Sequence, residues 1–200
     1  MKQYLTIIAI LALGLISCAV DESLDQTIVV KDEQDPNLPA YTEWGYNSFG
    51  AKYERTYFLA SNTWAPCKIT TKNGQVNFIL QGSLSGTSIY DKTILTISFP
   101  APEIRQYADL LLLHERSFNL KDASCSVRLE YGIENQLLNL IAGNITFKRA
   151  QQLRVDDKND RIILSGTFAV QFLNNDRPES FSRGRFDLGL IEQDFYDLAP

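Results

Sequence analysis

Histidine and methionine occur once each in this chain of 200 residues, and cysteine only three times. A structural zinc site draws four Cys or His ligands from closely spaced pairs. His114, Cys67 and Cys125 lie far apart and make no such pair, so neither a metal centre nor a cofactor is expected. A Ser-His or Cys-His catalytic arrangement would have to be built on His114 alone. That residue closes the run Leu110-Leu111-Leu112-Leu113, where an imidazole reads more simply as a helix-end group near the last carbonyls. Gly82-Ser83-Leu84-Ser85-Gly86 holds Leu84 where a nucleophile elbow needs serine, and reads as a turn. Asp156-Asp157-Lys158-Asn159-Asp160 places Lys158 where a calcium loop needs an oxygen ligand, and reads as a solvated hairpin loop. Basic runs are missing as well: 19 Lys and Arg stand against 24 Asp and Glu, a net charge of −5. Nucleic-acid binding needs a clustered basic face to displace counterions, so no nucleic-acid partner is expected.

One hydrophobic run is present, uncharged from Gln3 to Ser17 behind Lys2. A bilayer-spanning helix needs about 20 apolar residues, and the acidic sequence beyond Cys18 lacks the basic flank of a retained span. A short apolar segment behind a positive charge is the pattern of an export signal. Its last residues, Leu15-Ile16-Ser17-Cys18, resemble the lipobox of bacterial lipoproteins. That resemblance implies a signal peptide over residues 1–17, lipidation of the Cys18 thiol, and a membrane partner held through the N-terminal lipid. Residues 18–40 are charged, with Pro36 and Pro39, and read as a flexible tether long enough to hold a folded body tens of ångströms from the bilayer. Asp21 and Glu22 resemble the surface-export signal of Bacteroidota lipoproteins, which implies a cell-envelope location at the outer membrane, exposed on its surface.

The remainder, residues 41–200, carries period-2 patterns. Ser48 to Tyr53 and Thr56 to Leu59 read as strands around Glu54-Arg55, and Asn73-Gly74 as a tight turn before Val76, Phe78 and Leu80. Leu95, Ile97 and Phe99 alternate until Pro100; Val127, Leu129 and Tyr131, then Leu138 and Leu140, then Ile145 and Phe147, alternate again. Arg161 to Leu173 and Ser180 to Leu190 flank the turn residues NNDRPE. Only EIRQYADLLLLH looks helical, with Ile104, Tyr107, Ala108 and Leu111 at helical spacing. The expected fold is all-β: an antiparallel sandwich or barrel-like domain of roughly nine strands with one short helix. Outside the cytoplasm Cys67 and Cys125 have two readings. They either pair, closing a loop of about 60 residues worth roughly 4 kcal/mol, or stay as separately buried small hydrophobes.

Asn47-Ser48-Phe49-Gly50-Ala51, Ile163-Leu164-Ser165-Gly166-Thr167-Phe168 and Ser182-Arg183-Gly184-Arg185-Phe186-Asp187 resemble three recurring blocks of uncharacterised secreted lipoproteins from the Bacteroidota. The resemblance implies an envelope location and an all-β body, and carries no functional residue. Physically, Gly50, Gly166 and Gly184 sit inside strand patterns, where glycine marks a bulge or a close backbone approach, over a core filled by Phe49, Phe168 and Phe186. Tyr41, Trp44, Tyr46 and Trp64 have two readings: they either pack on the sheet or form a recognition surface, since rigid aromatics give contact area at small entropic cost. The sequence thus favours a non-catalytic module binding a glycan or a protein. The alternative is an envelope hydrolase with a dispersed carboxylate site, which no pattern among so many acids can single out.

Overall fold

Turn chemistry sets the strand pairing. The computed structural model describes residues 27–61, 65–87, 91–155 and 158–198. Asn73 and Gly74 take φ of 51° and 77°, the left-handed pair that a two-residue type I′ turn requires, and join β3 (Cys67–Lys72) to β4 (Gln75–Leu84). Asn175 and Asp176, at 48° and 61°, do the same between β10 (Lys158–Asn174) and β11 (Arg177–Leu190). Glu54-Arg55 turns β1 (Ser48–Tyr53) into β2 (Thr56–Ala60). The other strands are β5 (Thr93–Pro100), β6 (Arg116–Asn119), β7 (Ser126–Tyr131), β8 (Glu134–Leu137), β9 (Asn139–Val155) and β12 (Phe195–Asp197).

Among the described residues all twelve strands join one sheet in the order β6-β9-β10-β11-β1-β2-β4-β5-β7-β8, with β3 on β4 and β12 on β3. Every pairing is antiparallel except β3 with β12. The sheet is open at β6 and β8, so it is a sandwich-like fold rather than a closed barrel. β4 makes the corner, pairing with β3 along its first half and β2 at its last residues. The two flanks fold over one another: Phe78 of β4 meets Phe147 of β9 and Phe186 of β11 at ring separations of 5.4 Å and 5.0 Å, and Phe99 of β5 lies 5.6 Å from Phe147. Edge-to-face and tilted rings at these distances add to the burial that drives the fold.

Phe49, Phe168 and Phe186 are all buried in this core, and the glycines beside them mark close approaches, as their sequence context suggests. In register, Gly166 lies opposite Phe186 and Gly184 opposite Phe168. A Cβ on Gly166 would sit 2.6 Å from the Phe186 ring, and one on Gly184 2.8 Å from the Phe168 ring. Each ring therefore covers the glycine of its neighbour strand, as an aromatic does over a backbone that has no side chain. A bulge at Ser182-Arg183, with Arg183 at φ 54°, bends β11 next to this pair.

Three features depart from the sequence reading. The helical segment is a 3₁₀ helix, Tyr107–Leu113. Ile104, Leu110 and Leu113 are buried and Tyr107 half-buried, a spacing of three that matches three residues per turn, whereas Ala108 faces solvent. Second, Leu140, Ile145 and Phe147 share one strand, because β9 runs unbroken through Gly143, while Leu138 lies just before it. Third, residues 27–40 of the expected tether are part of the folded body, and residues 18–26 lie outside the described residues. Ile28 N–H donates to Tyr46 O at 2.8 Å, Ala40 N–H to Val30 O at 2.6 Å, and Leu38 is 1% exposed.

Cys67 and Cys125 are both free thiols. Cys67 aligns with Leu80, Leu95 and Leu129 across β3, β4, β5 and β7, while Cys125 precedes Ser126 at the far end of β7. Three strand spacings of about 4.8 Å separate them by roughly 14 Å, beyond the reach of a disulfide, whose Cα atoms lie about 4.4–6.8 Å apart.

Candidate functional site

The packed segment 28–46 forms a strap across the outer face of β10, β11 and β1. Its footprint explains why the strand alternation gives way to continuous burial at Ser48–Ala51, Arg161–Gly166 and Gly184–Leu190, apart from half-buried Arg185. Asp187, 1% exposed, is the anchor. Its carboxylate accepts hydrogen bonds from Thr42 Oγ1 (2.5 Å), Gly45 N (2.7 Å), Trp44 N (3.1 Å) and Tyr46 N (3.3 Å). A buried carboxylate is tolerable only when its charge is solvated by donors in this way. Asn47 adds a second tie, its Oδ1 accepting Gly189 N at 2.9 Å. Gly50 leaves room for Pro39, whose ring a Cβ there would overlap.

The other end of the strap is held by charge. Asp32 Oδ1 accepts the backbone N–H groups of Gln34 and Asp35 (3.0 and 2.9 Å), while its Oδ2 pairs with Arg185. Arg185 lowers the Asp32 pKa, chiefly through that hydrogen bond. Arg183 reaches Asp35 at 3.5 Å and Gln34 at 3.4 Å, and Tyr57 Oη lies 3.2 Å from Asp35.

Beside the strap lies an open cleft of about 400 Å³, lined by Tyr41, Asn144, Thr167, Ala169, Arg183 and Arg185 among others. Tyr41 forms its aromatic wall, with Lys148 Nζ 4.5 Å from the ring centroid, a cation–π contact. Tyr41 Oη donates to Glu43 Oε1 at 2.7 Å. Burial first, and then this carboxylate, push its pKa up to about 12, so the hydroxyl stays protonated at neutral pH. The cleft is lined by the Tyr41 ring, the Asn144 amide and the Thr167 hydroxyl, with the guanidinium groups of Arg183 and Arg185, themselves paired with Asp35 and Asp32, at its border. None of its lining residues is a carboxylic acid, so the paired acid and base of glycoside hydrolysis are not assembled there.

Two acidic residues, Glu54 and Glu179, line a smaller cleft of about 170 Å³ with Ile141, Gln171, Pro178 and Ser180. Both carry structural hydrogen bonds. Glu54 Oε1 accepts Ser180 N at 2.7 Å, closing the β1–β2 turn onto β11. Glu179 accepts Tyr53 Oη at 2.6 Å and Asn174 Nδ2 at 3.1 Å, and burial followed by this contact raises the Tyr53 pKa.

Of the residues singled out in the sequence, Trp44 is 70% exposed, and Tyr41 and Tyr46 are half-buried on the strap. Cys18 and Trp64 lie outside the described residues, as do Asp156 and Asp157 of the expected hairpin loop, whose last residues Lys158 to Asp160 open β10. His114 caps the 3₁₀ helix through its backbone N–H to Leu111 O, but its side chain does not meet the last carbonyls: Nδ1 accepts Ala150 N of β9 at 3.2 Å. Sequence reasoning passed over Asp32, Asp187, Arg183 and Arg185. The Arg-Gly-Arg-Phe-Asp alternation was the available signal, since it puts Arg183, Arg185 and Asp187 on one face of a strand.

Among the described residues no group of three or more His, Cys, Asp and Glu could hold a metal ion, and no helix is long and apolar enough to cross a membrane. The fold and the cleft define an all-β domain with a strap-bordered surface site. In comparisons with protein-family models, curated proteins and solved structures, no match to the chain was found.

Proposed function

We propose that this protein is a membrane-anchored envelope lipoprotein whose β domain binds a glycan without transforming it, at the Tyr41 cleft. The observation that carries the reading is the composition of that cleft. A broad, shallow surface with one aromatic face and converging guanidinium, amide and hydroxyl groups suits a ligand rich in hydroxyls, and no carboxylic acid lines it. Lipidation at Cys18 and the outer-membrane location are supported by the lipobox-like residues and the apolar run before them. Calorimetric titration of the full chain with soluble fragments of envelope and capsular glycans tests the binding. Tyr41→Ala and Asn144→Ala are expected to weaken it tenfold or more, and an equal affinity in both variants would reject the cleft.

The Glu54–Glu179 cleft favours a second reading, an envelope hydrolase. Its carboxylates are engaged with Ser180, Tyr53 and Asn174, which suits a role in fastening strand ends. Release of reducing sugar that disappears in Glu54→Gln and Glu179→Gln would replace the binding reading with this one.

A further inference from the structure

The strap exposes a short apolar stretch beside the polar and charged residues Lys31, Glu33, Gln34 and Asn37. Ile28, Val29 and Val30 are 44%, 58% and 45% exposed, and Trp44 is 70% exposed. The Ile28–Tyr46 and Val30–Ala40 backbone hydrogen bonds tie the 28–30 segment to the part of the strap that carries Trp44. Isolated apolar residues are ordinary on a surface, but three consecutive exposed aliphatics on the same strap as an exposed tryptophan suit a contact site.

The chain itself indicates the occupant. Residues 18–27 are all that separate this patch from the uncharged run Gln3 to Ser17. Ten residues span at most about 35 Å when fully extended, so an anchor at Cys18 keeps the patch within reach of the bilayer at high effective concentration. Tryptophan suits the headgroup boundary, with its ring in the apolar layer and its N–H toward water, and aliphatic neighbours add buried apolar area there. An acyl anchor gains from such a second contact, because a single chain binds marginally and reversibly.

We propose that Ile28, Val29, Val30 and Trp44 form a bilayer-contact surface that seats the β domain on the membrane instead of leaving it suspended on a tether. The inference rests on the membrane-anchored reading above. It assigns Trp44 to lipid and leaves Tyr41 to the cleft.

Tryptophan quenching by brominated lipid tests it. The full chain is reconstituted in phosphatidylethanolamine and phosphatidylglycerol vesicles whose acyl chains carry bromine near the headgroup. A Trp64→Phe variant leaves Trp44 as the only indole, and its emission is expected to fall at least twofold relative to unbrominated vesicles. Val29→Asp in the same background is expected to restore most of it. Vesicle-bound protein with unquenched Trp44 overturns the contact surface and leaves the anchor standing. Protein that does not float with the vesicles at all overturns both. If Trp64→Phe fails to fold, the native chain is compared with Trp44→Phe: quenching lost with Trp44 supports the contact, and quenching retained in full overturns it.

Discussion

Asp187 shows how one side chain can carry a local structure. Four donors from residues 42–46 converge on its carboxylate, and removing it leaves those donors buried without an acceptor, at a cost of about 1–3 kcal/mol or more. Asp187→Ala is therefore expected to lower stability by about 3 kcal/mol in a denaturant titration, and to loosen the strap before the core. Gly166→Ala tests a different cause, overpacking. Its Cβ would press on the Phe186 ring and the Thr146 carbonyl, so a loss of about 1–3 kcal/mol is expected in the same titration. The thiols give a third check. Burial pushes the Cys67 pKa well up, while Cys125 is half-buried and raised less deeply by its surroundings. Cys125 is expected to react slowly with a thiol reagent in the native protein and Cys67 not at all, with both titrating once the chain is unfolded.

At the scale of elements the strap is the variable part, since it is tied by one buried carboxylate at one end and by Arg185 and Arg183 at the other. Because Asp32 has a depressed pKa in the folded protein, the unfolded chain binds its proton more readily than the folded one does. The Asp32 contribution is thus fully present above the ordinary carboxylate value of about 4 and is lost as pH falls through the lower folded value. Hydrogen exchange at the Ala40 and Leu38 amides, corrected for its intrinsic pH dependence, is expected to speed up only below about pH 4. Asp32→Asn should show the faster exchange already at neutral pH. The strap also illustrates what one-dimensional patterns miss. Residues 28–40 look like linker because they are charged and carry two prolines, yet Leu38 is buried and Pro39 fits over Gly50. Those contacts lie with strands far along the chain, where no local period records them.

Across the whole molecule, burial separates residues that look alike in sequence. Trp44→Ala is expected to change stability by less than about 0.5 kcal/mol, whereas Phe186→Ala should cost about 3–5 kcal/mol through lost burial and the cavity left behind. Thermal unfolding of the two variants checks both. The contrast follows from position: Phe186 lies between the folded-over flanks, while Trp44 projects from a strap outside them.

What the sequence determined by itself was the local level: the alternating strands, the turn residues at Asn73-Gly74 and in the stretch NNDRPE, and the all-β class. Each of these follows from steric and hydrophobic constraints within a few residues, and those constraints are written in period and turn chemistry. By contrast β3, β6, β8 and β12, and the pairing of Gly166 with Phe186 and Gly184 with Phe168, came only with the strand register. Tertiary structure alone decided that the sheet stays open, that Cys67 and Cys125 stand apart, that Tyr107, Leu110 and Leu113 choose three residues per turn, and that Arg183 and Arg185 meet Tyr41 in one cleft. These outcomes depend on which strands become neighbours and on which of their faces the strap covers. Neighbours brought together from opposite ends of a chain leave no periodic trace in either segment.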